Sequence, residues 1–137
     1  MKRNATAVWS GTGKEGKGRL TTQSETLKNV PYNFRMRFED EAGTNPEELV
    51  AAAHAGCFNM KLSFLIVAAG LVAETLETQC TVTLENGAIT ASHLALKAKV
   101  PGLSNDKFNE LVADAKANCP ISKSLTAAVS VDAVLEA

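Results

Sequence analysis

The segment from Asn45 to Gly70 is the feature that most constrains the fold of this chain. Its sequence is NPEELVAAAHAGCFNMKLSFLIVAAG. It begins with a good N-cap, a proline in the first turn and two glutamates at the positive end of the helix dipole, and it ends in a glycine suited to position C′. These features predict one helix of about 37 Å at 1.5 Å per residue. Because this helix is apolar on nearly every side, it must be enclosed on nearly every side.

The same segment is long enough to cross a bilayer, but its composition argues against a membrane span. His54, Asn59 and Lys61 interrupt the apolar residues, and a lysine at mid-span costs about 3 kcal/mol of insertion free energy. The uninterrupted apolar run of about 12 residues is too short to span the hydrocarbon. We therefore expect a core helix and no membrane partner.

The length, charge and cysteine count of the chain limit the classes of protein to which it can belong. The 137 residues predict a single domain over residues 1–137. With 14 Lys and Arg against 15 Asp and Glu, and only 5% aromatics, we expect no nucleic-acid partner. The N-terminus lacks the apolar stretch of a signal peptide, which indicates a cytoplasmic protein. Three widely spaced cysteines in such a protein favour a catalytic or redox pair over a structural disulfide framework.

Alternation and turn residues predict the other elements. We expect strands over 5–10, 19–23, 33–39, 75–84, 88–100 and 127–135, helices over 105–118 and 121–125, and a connection over 28–33. Asn86-Gly87 predicts a hairpin. In the strand expected at Asn33–Glu39, Arg35 and Arg37 share one face. The order predicts an α+β domain of antiparallel strands around one long helix.

Two of the three thiols are candidates for chemistry. Cys119 precedes Pro120 at the predicted start of a short helix, where the positive end of the dipole favours a thiolate. Cys57 lies mid-helix among apolar neighbours, which raise the pKa of a thiol. Cys80, in the middle of a predicted strand, is most simply a small buried apolar residue.

If Cys57 is a nucleophile, a cation must come from outside its helix. Arg37 and Arg35 are the nearest candidates in sequence, and a buried guanidinium needs a carboxylate such as Glu47. Glu47 and Cys57 are ten residues apart on one helix, or about 15 Å, which is too far for both to serve one sulfur. Two such helices packed antiparallel, one from each subunit, would bring Glu47 of one chain near Cys57 of the other. The helix therefore suggests a homodimer with composite sites.

His54 lies three residues before Cys57, but this spacing alone does not make a metal site. Zinc needs four ligands, and no second His or Cys pair has ligand spacing. A Cys–His acyl-transfer pair is possible in principle, yet i,i+3 spacing on a buried helix more often reflects packing. We interpret His54 as a packed or hydrogen-bonded core histidine, and we expect no metal.

Two motifs resemble the osmotically inducible protein C (OsmC) family, a sister of the organic hydroperoxide resistance proteins: PYNFRMRFEDEAGTNPEELVAAAHAGCF and, much later, ANCPIS. The resemblance runs through nearly the whole chain, from AVWSGTGKEGKGRLTTQS onward, and GTNPEEL favours the OsmC branch. It implies an OsmC-like fold, with antiparallel sheets wrapped around long central helices in an intertwined homodimer.

The resemblance also implies an activity. Members of this family are thiol-dependent peroxidases that reduce organic hydroperoxides to alcohols, and act more weakly on hydrogen peroxide, in oxidative and osmotic stress defence. By motif, Cys57 resembles the peroxidatic cysteine and Cys119 the resolving one, while Arg37 resembles the activating arginine and Glu47 its carboxylate partner. The implied reductant is a thiol protein or a small external dithiol such as dihydrolipoamide, without a bound cofactor. Two alternatives stay open: a non-catalytic cysteine redox sensor, and a small-ligand-binding dimer with inert thiols.

Overall fold

The computed structural model describes residues 1–136 and contains two compact units, one from Met1 to Leu49 and a second that begins at Val50. The first unit contains strands β1 (Ala5–Ser10), β2 (Lys17–Thr22) and β3 (Val30–Tyr32), and helix α1 (Phe34–Phe38). Helix α2 (Pro46–Ala68) begins at its end. The second unit continues with β4 (Thr75–Glu85), β5 (Ala88–Lys99), α3 (Asn105–Asn118), α4 (Pro120–Ser124) and β6 (Ala128–Glu136).

The first unit is built on an antiparallel sheet in the order β1-β2-β3. Gly18 on β2 lets the strand pass against the rings of Trp9 and Tyr32, because a Cβ at this position would overlap both. Strand β3 lies in the predicted connection and pairs with β2. It accommodates Pro31 because an edge strand tolerates a residue without an N–H donor.

Residues 34–38 form helix α1, so the prediction of a strand over Asn33–Glu39 is wrong. Asn33 is the N-cap, and its side chain accepts a hydrogen bond from the N–H of Met36 at 2.9 Å. This local cap outweighs the alternation of apolar and charged side chains. Arg35 and Arg37 therefore do not share a face, since residues two apart on a helix point in different directions.

Helix α2 has the caps that the sequence predicts. The N–H of Glu48 donates to the side chain of Asn45 at 2.8 Å. At the other end Gly70 has a φ of +85°, and the N–H of Leu71 donates to the carbonyl of Ile66 at 3.2 Å, as expected of a left-handed C-terminal residue. The helix is long and apolar enough to cross a membrane by length and composition alone, a test that core helices of soluble proteins also pass.

Only one side of α2 is covered in the second unit. The covered residues form one stripe: His54, Phe58, Leu62 and Ile66. The large exposed residues form another: Met60 at 63%, Phe64 at 66% and Val67 at 59% exposure. At 3.6 residues per turn these stripes lie on opposite sides of the helix. A single chain thus leaves an apolar face of α2 open, although the sequence predicts a helix enclosed on nearly every side.

The core of the second unit lies between α2, α3 and the inner face of the second sheet. The alternation predicted for β5 is confirmed by its buried residues, which are Ser92, Leu94, Leu96 and Ala98. Helix α3 contributes the four side chains predicted at helical spacing, Phe108, Leu111, Val112 and Ala115. Asn86 and Gly87, with φ of 50° and 79°, form the predicted turn between β4 and β5.

The second sheet has the order β4-β5-β6, and its β5–β6 pair is parallel. The prediction of purely antiparallel sheets is therefore wrong at this pair, while β4 and β5 are antiparallel as expected. The reason is the connection: α3 and α4 form a crossover that returns the chain to the same end of the sheet. The mixed α+β architecture is confirmed, and the crossover contains Cys119 at the junction of its two helices.

Candidate active site

Helix α2 presents Cys57 beside its buried stripe. Cys57 is a free, half-buried thiol that packs against the hydrophobic core. Its exposure distinguishes it from Phe58, the next residue, which is fully buried. Cys57 is thus only partly covered by the rest of the second unit.

Cys119 lies where α3 ends and α4 begins. It is the C-cap of α3, with its N–H donating to the carbonyl of Ala115 at 2.9 Å, and also the N-cap of α4. Pro120 at the first position of α4 prevents α3 from continuing, which fixes the junction at Cys119. The Cys119 side chain is fully buried, so this thiol is enclosed where Cys57 is accessible.

The fold brings Cys57 against the core cluster that contains Cys119, and the two thiols are close enough to shift each other's pKa. Burial acts to raise the pKa of Cys119, but it is outweighed by the Cys57 thiol, by the N–H and hydroxyl of Ser122 and by the N–H of Ile121, so that the pKa of Cys119 is lowered. No regular side-chain cap hydrogen bond forms at the N-cap. The polar groups of α4 nevertheless face the sulfur and favour its thiolate.

The pKa of Cys57 is shifted in the opposite direction to that of Cys119. Burial raises the pKa of Cys57, and the hydrogen bond and charge of Cys119 raise it further. The N–H of Ile121 opposes this shift of the Cys57 pKa. The backbone of α4 thus favours the Cys57 thiolate, which the sequence did not reveal, although this does not reverse the effect of the apolar surroundings on the Cys57 pKa.

His54 is buried between two serines. Its Nδ1 lies 2.6 Å from the hydroxyl of Ser92 on β5, and its Nε2 lies 2.7 Å from the hydroxyl of Ser122 on α4. Ser92 in turn lies 3.2 Å from the sulfur of Cys80 on β4. Burial lowers the pKa of His54, so the imidazole is neutral at neutral pH. We refer to Cys80, Ser92, His54 and Ser122 as the His54 network.

The sequence predicted a hydrogen-bonded histidine here, and this is confirmed, but its partners are 38 and 68 residues away. A second histidine, His93 on the outer face of β5, contacts Ser130 at 2.6 Å and Asp132 at 3.2 Å. Among residues 1–136, no group of three or more His, Cys, Asp and Glu side chains is arranged to hold a metal ion.

Arg37 and Glu47 form an ion pair in the first unit. The Nη2 of Arg37 donates to Glu47 Oε1 at 2.6 Å, and its Nε donates to both carboxylate oxygens at 2.9 and 3.1 Å. The hydrogen bonds from Arg37 lower the pKa of Glu47, and those to Glu47 raise the pKa of Arg37. Arg35 is paired separately, with Glu39 at 4.0 Å. The four predicted site residues thus form two pairs: Arg37 with Glu47, and Cys57 with Cys119.

The chain thus combines an α+β fold of two small sheets with a long apolar helix that contains one of two neighbouring thiols. The family described as OsmC-like protein matches residues 38–134, which is more than half of the chain. The chain therefore belongs to the OsmC family, and the resemblance stated from its motifs is confirmed.

Three known proteins illustrate this similarity. The peroxiredoxin OsmC of Escherichia coli (strain K12) is 42% identical over 130 residues, covering 92% of this chain and 91% of that protein. The organic hydroperoxide resistance protein OhrA of Bacillus subtilis (strain 168) is 33% identical, covering 90% and 88%. The crystal structure of an OsmC-like protein from Mycoplasma pneumoniae superposes with a TM-score of 0.79 at 14% identity, covering 100% and 99%, which shows the shared fold. The prediction of an enzyme of the peroxidase class is confirmed by the first of these similarities.

Proposed function

We propose that this protein reduces organic hydroperoxides to alcohols, and more weakly hydrogen peroxide to water, through Cys57 as peroxidatic and Cys119 as resolving cysteine. The observation that carries the proposal is the contact between an accessible thiol on α2 and a buried thiol at the α3–α4 junction. Cys57 is partly exposed, whereas Cys119 is fully buried, so we assign the first contact with peroxide to Cys57. A sulfenic acid on Cys57 would lie beside a sulfur already favoured as thiolate.

The chemistry takes three balanced steps. The Cys57 thiolate attacks the terminal oxygen of ROOH, so that an S–O bond forms, the O–O bond breaks and the alkoxide leaves as ROH after taking a proton. The Cys119 thiolate then attacks the Cys57 sulfur, so that an S–S bond forms, the S–O bond breaks and hydroxide leaves as water after taking a proton. An external dithiol such as dihydrolipoamide, or a thiol reductant protein, reduces the disulfide by exchange, without a bound cofactor.

Arg37 supplies the positive charge that the first step requires. Within one chain the pKa of Cys57 is raised, so the thiolate needs a cation from another source. Glu47 fixes the guanidinium of Arg37 through three short N–O distances. Glu47 and Cys57 lie ten residues apart on α2, or about 15 Å, so the ion pair of one subunit would serve the Cys57 of its partner.

This composite site requires an intertwined homodimer. The open stripe of α2, with Met60, Phe64 and Val67 exposed, supports such an assembly because exposed apolar patches of this kind are covered in the stable state. The smaller residues Ala53 and Gly56 are exposed on the same side of the helix, where they would allow close approach of a second helix. The names of the relatives, a peroxiredoxin and an organic hydroperoxide resistance protein, support a role in oxidative and osmotic stress defence, and the cytoplasmic location is part of the proposal.

The test is a panel of peroxides with two kinds of reductant. Alkyl and aryl hydroperoxides and hydrogen peroxide are supplied to the full chain with a monothiol or with dihydrolipoamide, and peroxide consumption is followed. We expect turnover with the dithiol that prefers organic hydroperoxides and is abolished in Cys57→Ser. Oxidation of Cys57 without dithiol-driven turnover would instead favour a redox sensor, and an unreactive Cys57 would contradict the proposal.

A further inference from the structure

The His54 network connects a buried histidine to Cys119. His54 is fully buried on α2, and each of its ring nitrogens has one hydroxyl partner, Ser92 or Ser122. Nothing in the three peroxidase steps uses this histidine. A buried imidazole held at both nitrogens by short hydrogen bonds has a fixed position, and its tautomer sets the direction of donation.

The direction follows from counting protons. A neutral imidazole has one N–H, so it donates to one serine and accepts from the other. Ser122 lies in the first turn of α4, three residues after the N-cap Cys119, so its hydroxyl is placed to donate to the Cys119 sulfur. Its oxygen is then the acceptor for the Nε2–H of His54. Nδ1 must accept from Ser92, whose oxygen can accept from the S–H of Cys80 at 3.2 Å. Every group in this arrangement donates in the same direction, toward Cys119.

We propose that His54 is a positioning residue for Cys119: it orients the hydroxyl of Ser122 so that Ser122 donates a hydrogen bond to the Cys119 thiolate. This inference rests on the proposed function, in which Cys119 resolves the sulfenic acid. His54 contacts neither the peroxide nor the reacting sulfur of Cys57. Its effect is confined to the second step and to the return of Cys119 during reduction.

The same geometry determines which sulfur of the disulfide the reductant attacks. Cys57 is half-buried and Cys119 is fully buried, so a reductant thiolate attacks Cys57. A bond forms between the reductant sulfur and Cys57, the Cys57–Cys119 bond breaks, and Cys119 leaves with the electron pair as a thiolate. A leaving thiolate that receives a hydrogen bond departs faster. His54, through Ser122, therefore favours both the formation and the opening of the disulfide.

The titratable groups that face the network are thiols. Cys57 on α2 faces Cys119, and Cys80 on β4 lies 4.0 Å from Nδ1 of His54. The pH dependence of the second step should thus report Cys119, with His54 neutral above the histidine range.

The test uses two substitutions that separate the ring nitrogens. In His54→Gln the amide nitrogen lies near the position of Nε2 and can still donate to Ser122. In His54→Asn the side chain reaches only the position of Nδ1. His93→Asn is the matched control, because His93 makes a serine contact of the same length on the outer face of the sheet. Ser122→Ala, on the half-buried helix α4, tests the same link if His54→Asn does not fold.

The rates of peroxide consumption and of disulfide formation are both measured in a single turnover. The pKa of Cys119 is measured separately in the reduced protein, by NMR titration of ¹³Cβ-labelled cysteine. We expect His54→Asn and Ser122→Ala to slow disulfide formation about tenfold at neutral pH, as the loss of a hydrogen bond to a charged group implies, with recovery at alkaline pH. Peroxide consumption should stay within about twofold of wild type, given the spread of such effects. His54→Gln and His93→Asn should resemble wild type.

An unmoved Cys119 titration in both His54→Asn and Ser122→Ala would overturn the proposal. So would equal losses in His54→Gln and His54→Asn, or equal slowing of both steps, since these indicate a structural role. Absence of any Cys57–Cys119 disulfide in the wild type would contradict the proposed function instead. The NMR titration needs no peroxide and would still decide the role of His54.

Discussion

The guanidinium of Arg37 binds the carboxylate of Glu47 through both Nε and Nη2, at 2.6 to 3.1 Å. Such a two-nitrogen contact fixes the plane of the guanidinium as well as its position. The Glu47 side chain is 14% exposed and that of Arg37 is 41% exposed. The carboxylate therefore binds the guanidinium on its covered side, and the positive charge of Arg37 remains partly exposed to solvent. Within residues 1–136, Nη1 of Arg37 forms no hydrogen bond and keeps its donors for another group.

The first prediction concerns this ion pair. Arg37→Ala should raise the pKa of Cys57 and slow peroxide consumption about tenfold or more at neutral pH, with partial recovery at alkaline pH, because an opposite charge nearby shifts a pKa by roughly 1–3 units. Glu47→Ala should act in the same direction but more mildly, since it orients the charge without supplying it. The measurement is the rate of Cys57 alkylation and of peroxide consumption against pH.

Arg35→Ala is the control for this experiment. Arg35 lies on another side of α1 and pairs with the exposed Glu39 at 4.0 Å, so its loss should matter little. Equal damage from Arg35→Ala and Arg37→Ala, or an unchanged Cys57 titration in Arg37→Ala, would mean that another cation activates Cys57.

The second prediction concerns the pairing of the sulfurs. One equivalent of cumene hydroperoxide should convert Cys57 and Cys119 into an intramolecular disulfide and leave Cys80 reduced, because Cys57 and Cys119 are neighbours whereas Cys80 contacts Ser92 and His54. The three cysteines fall in separate tryptic peptides, 38–61, 62–97 and 117–123, so mass spectrometry distinguishes the possible bridges. A Cys57–Cys80 bridge would contradict the assignment.

The third prediction concerns assembly. We expect a dimer at micromolar concentration by light scattering, and we expect Phe64→Glu, which puts a charge into the open stripe of α2, to yield monomers with greatly reduced peroxidase activity. A matched substitution at Val72, which is exposed outside α2, should leave the dimer intact. A folded, fully active monomer of the wild type would exclude the composite site.

The fourth prediction is a pH dependence of stability. The pKa of His54 is lowered from 6.5 by burial, so the unfolded state binds a proton more readily than the folded state. Stability is therefore full above about pH 6.5 and falls as the pH decreases below it, by up to about 1.4 kcal/mol per pH unit. Urea midpoints measured from pH 8 to 5 should show this slope in wild type, and His54→Gln should flatten it. An equal pH dependence of stability in both proteins would mean that a group other than His54 causes the loss of stability in acid.

Features set by local chemistry could be predicted from the sequence. Asn45 and Gly70 bound α2 because capping acts within a few residues, and Asn86-Gly87 fixes the hairpin for the same reason. The strand expected at residues 33–39 is instead a helix, because alternation over five residues is a weaker determinant than the cap supplied by Asn33.

Features that depend on tertiary contact could not be predicted. The parallel pairing of β6 is decided by the α3–α4 crossover, and the pairing of β3 depends on a neighbouring strand. The partners of His54 come from a strand and a helix that are distant in sequence. The N–H of Ile121, which acts on the pKa of Cys57, belongs to the same distant helix. The motif could name Cys57 and Cys119 as candidates, but only the fold shows that their sulfurs are adjacent.

The open stripe of α2 has a consequence for the thermodynamics of the protein. If a second copy covers Met60, Phe64 and Val67, then part of the free energy of folding comes from association, and the midpoint of unfolding rises with protein concentration. Dilution of the sample would then lower both the thermal midpoint and the specific activity together, since the arginine and the thiol of each site would belong to different chains. The amount of this protein in the cell would itself determine how much of it is active.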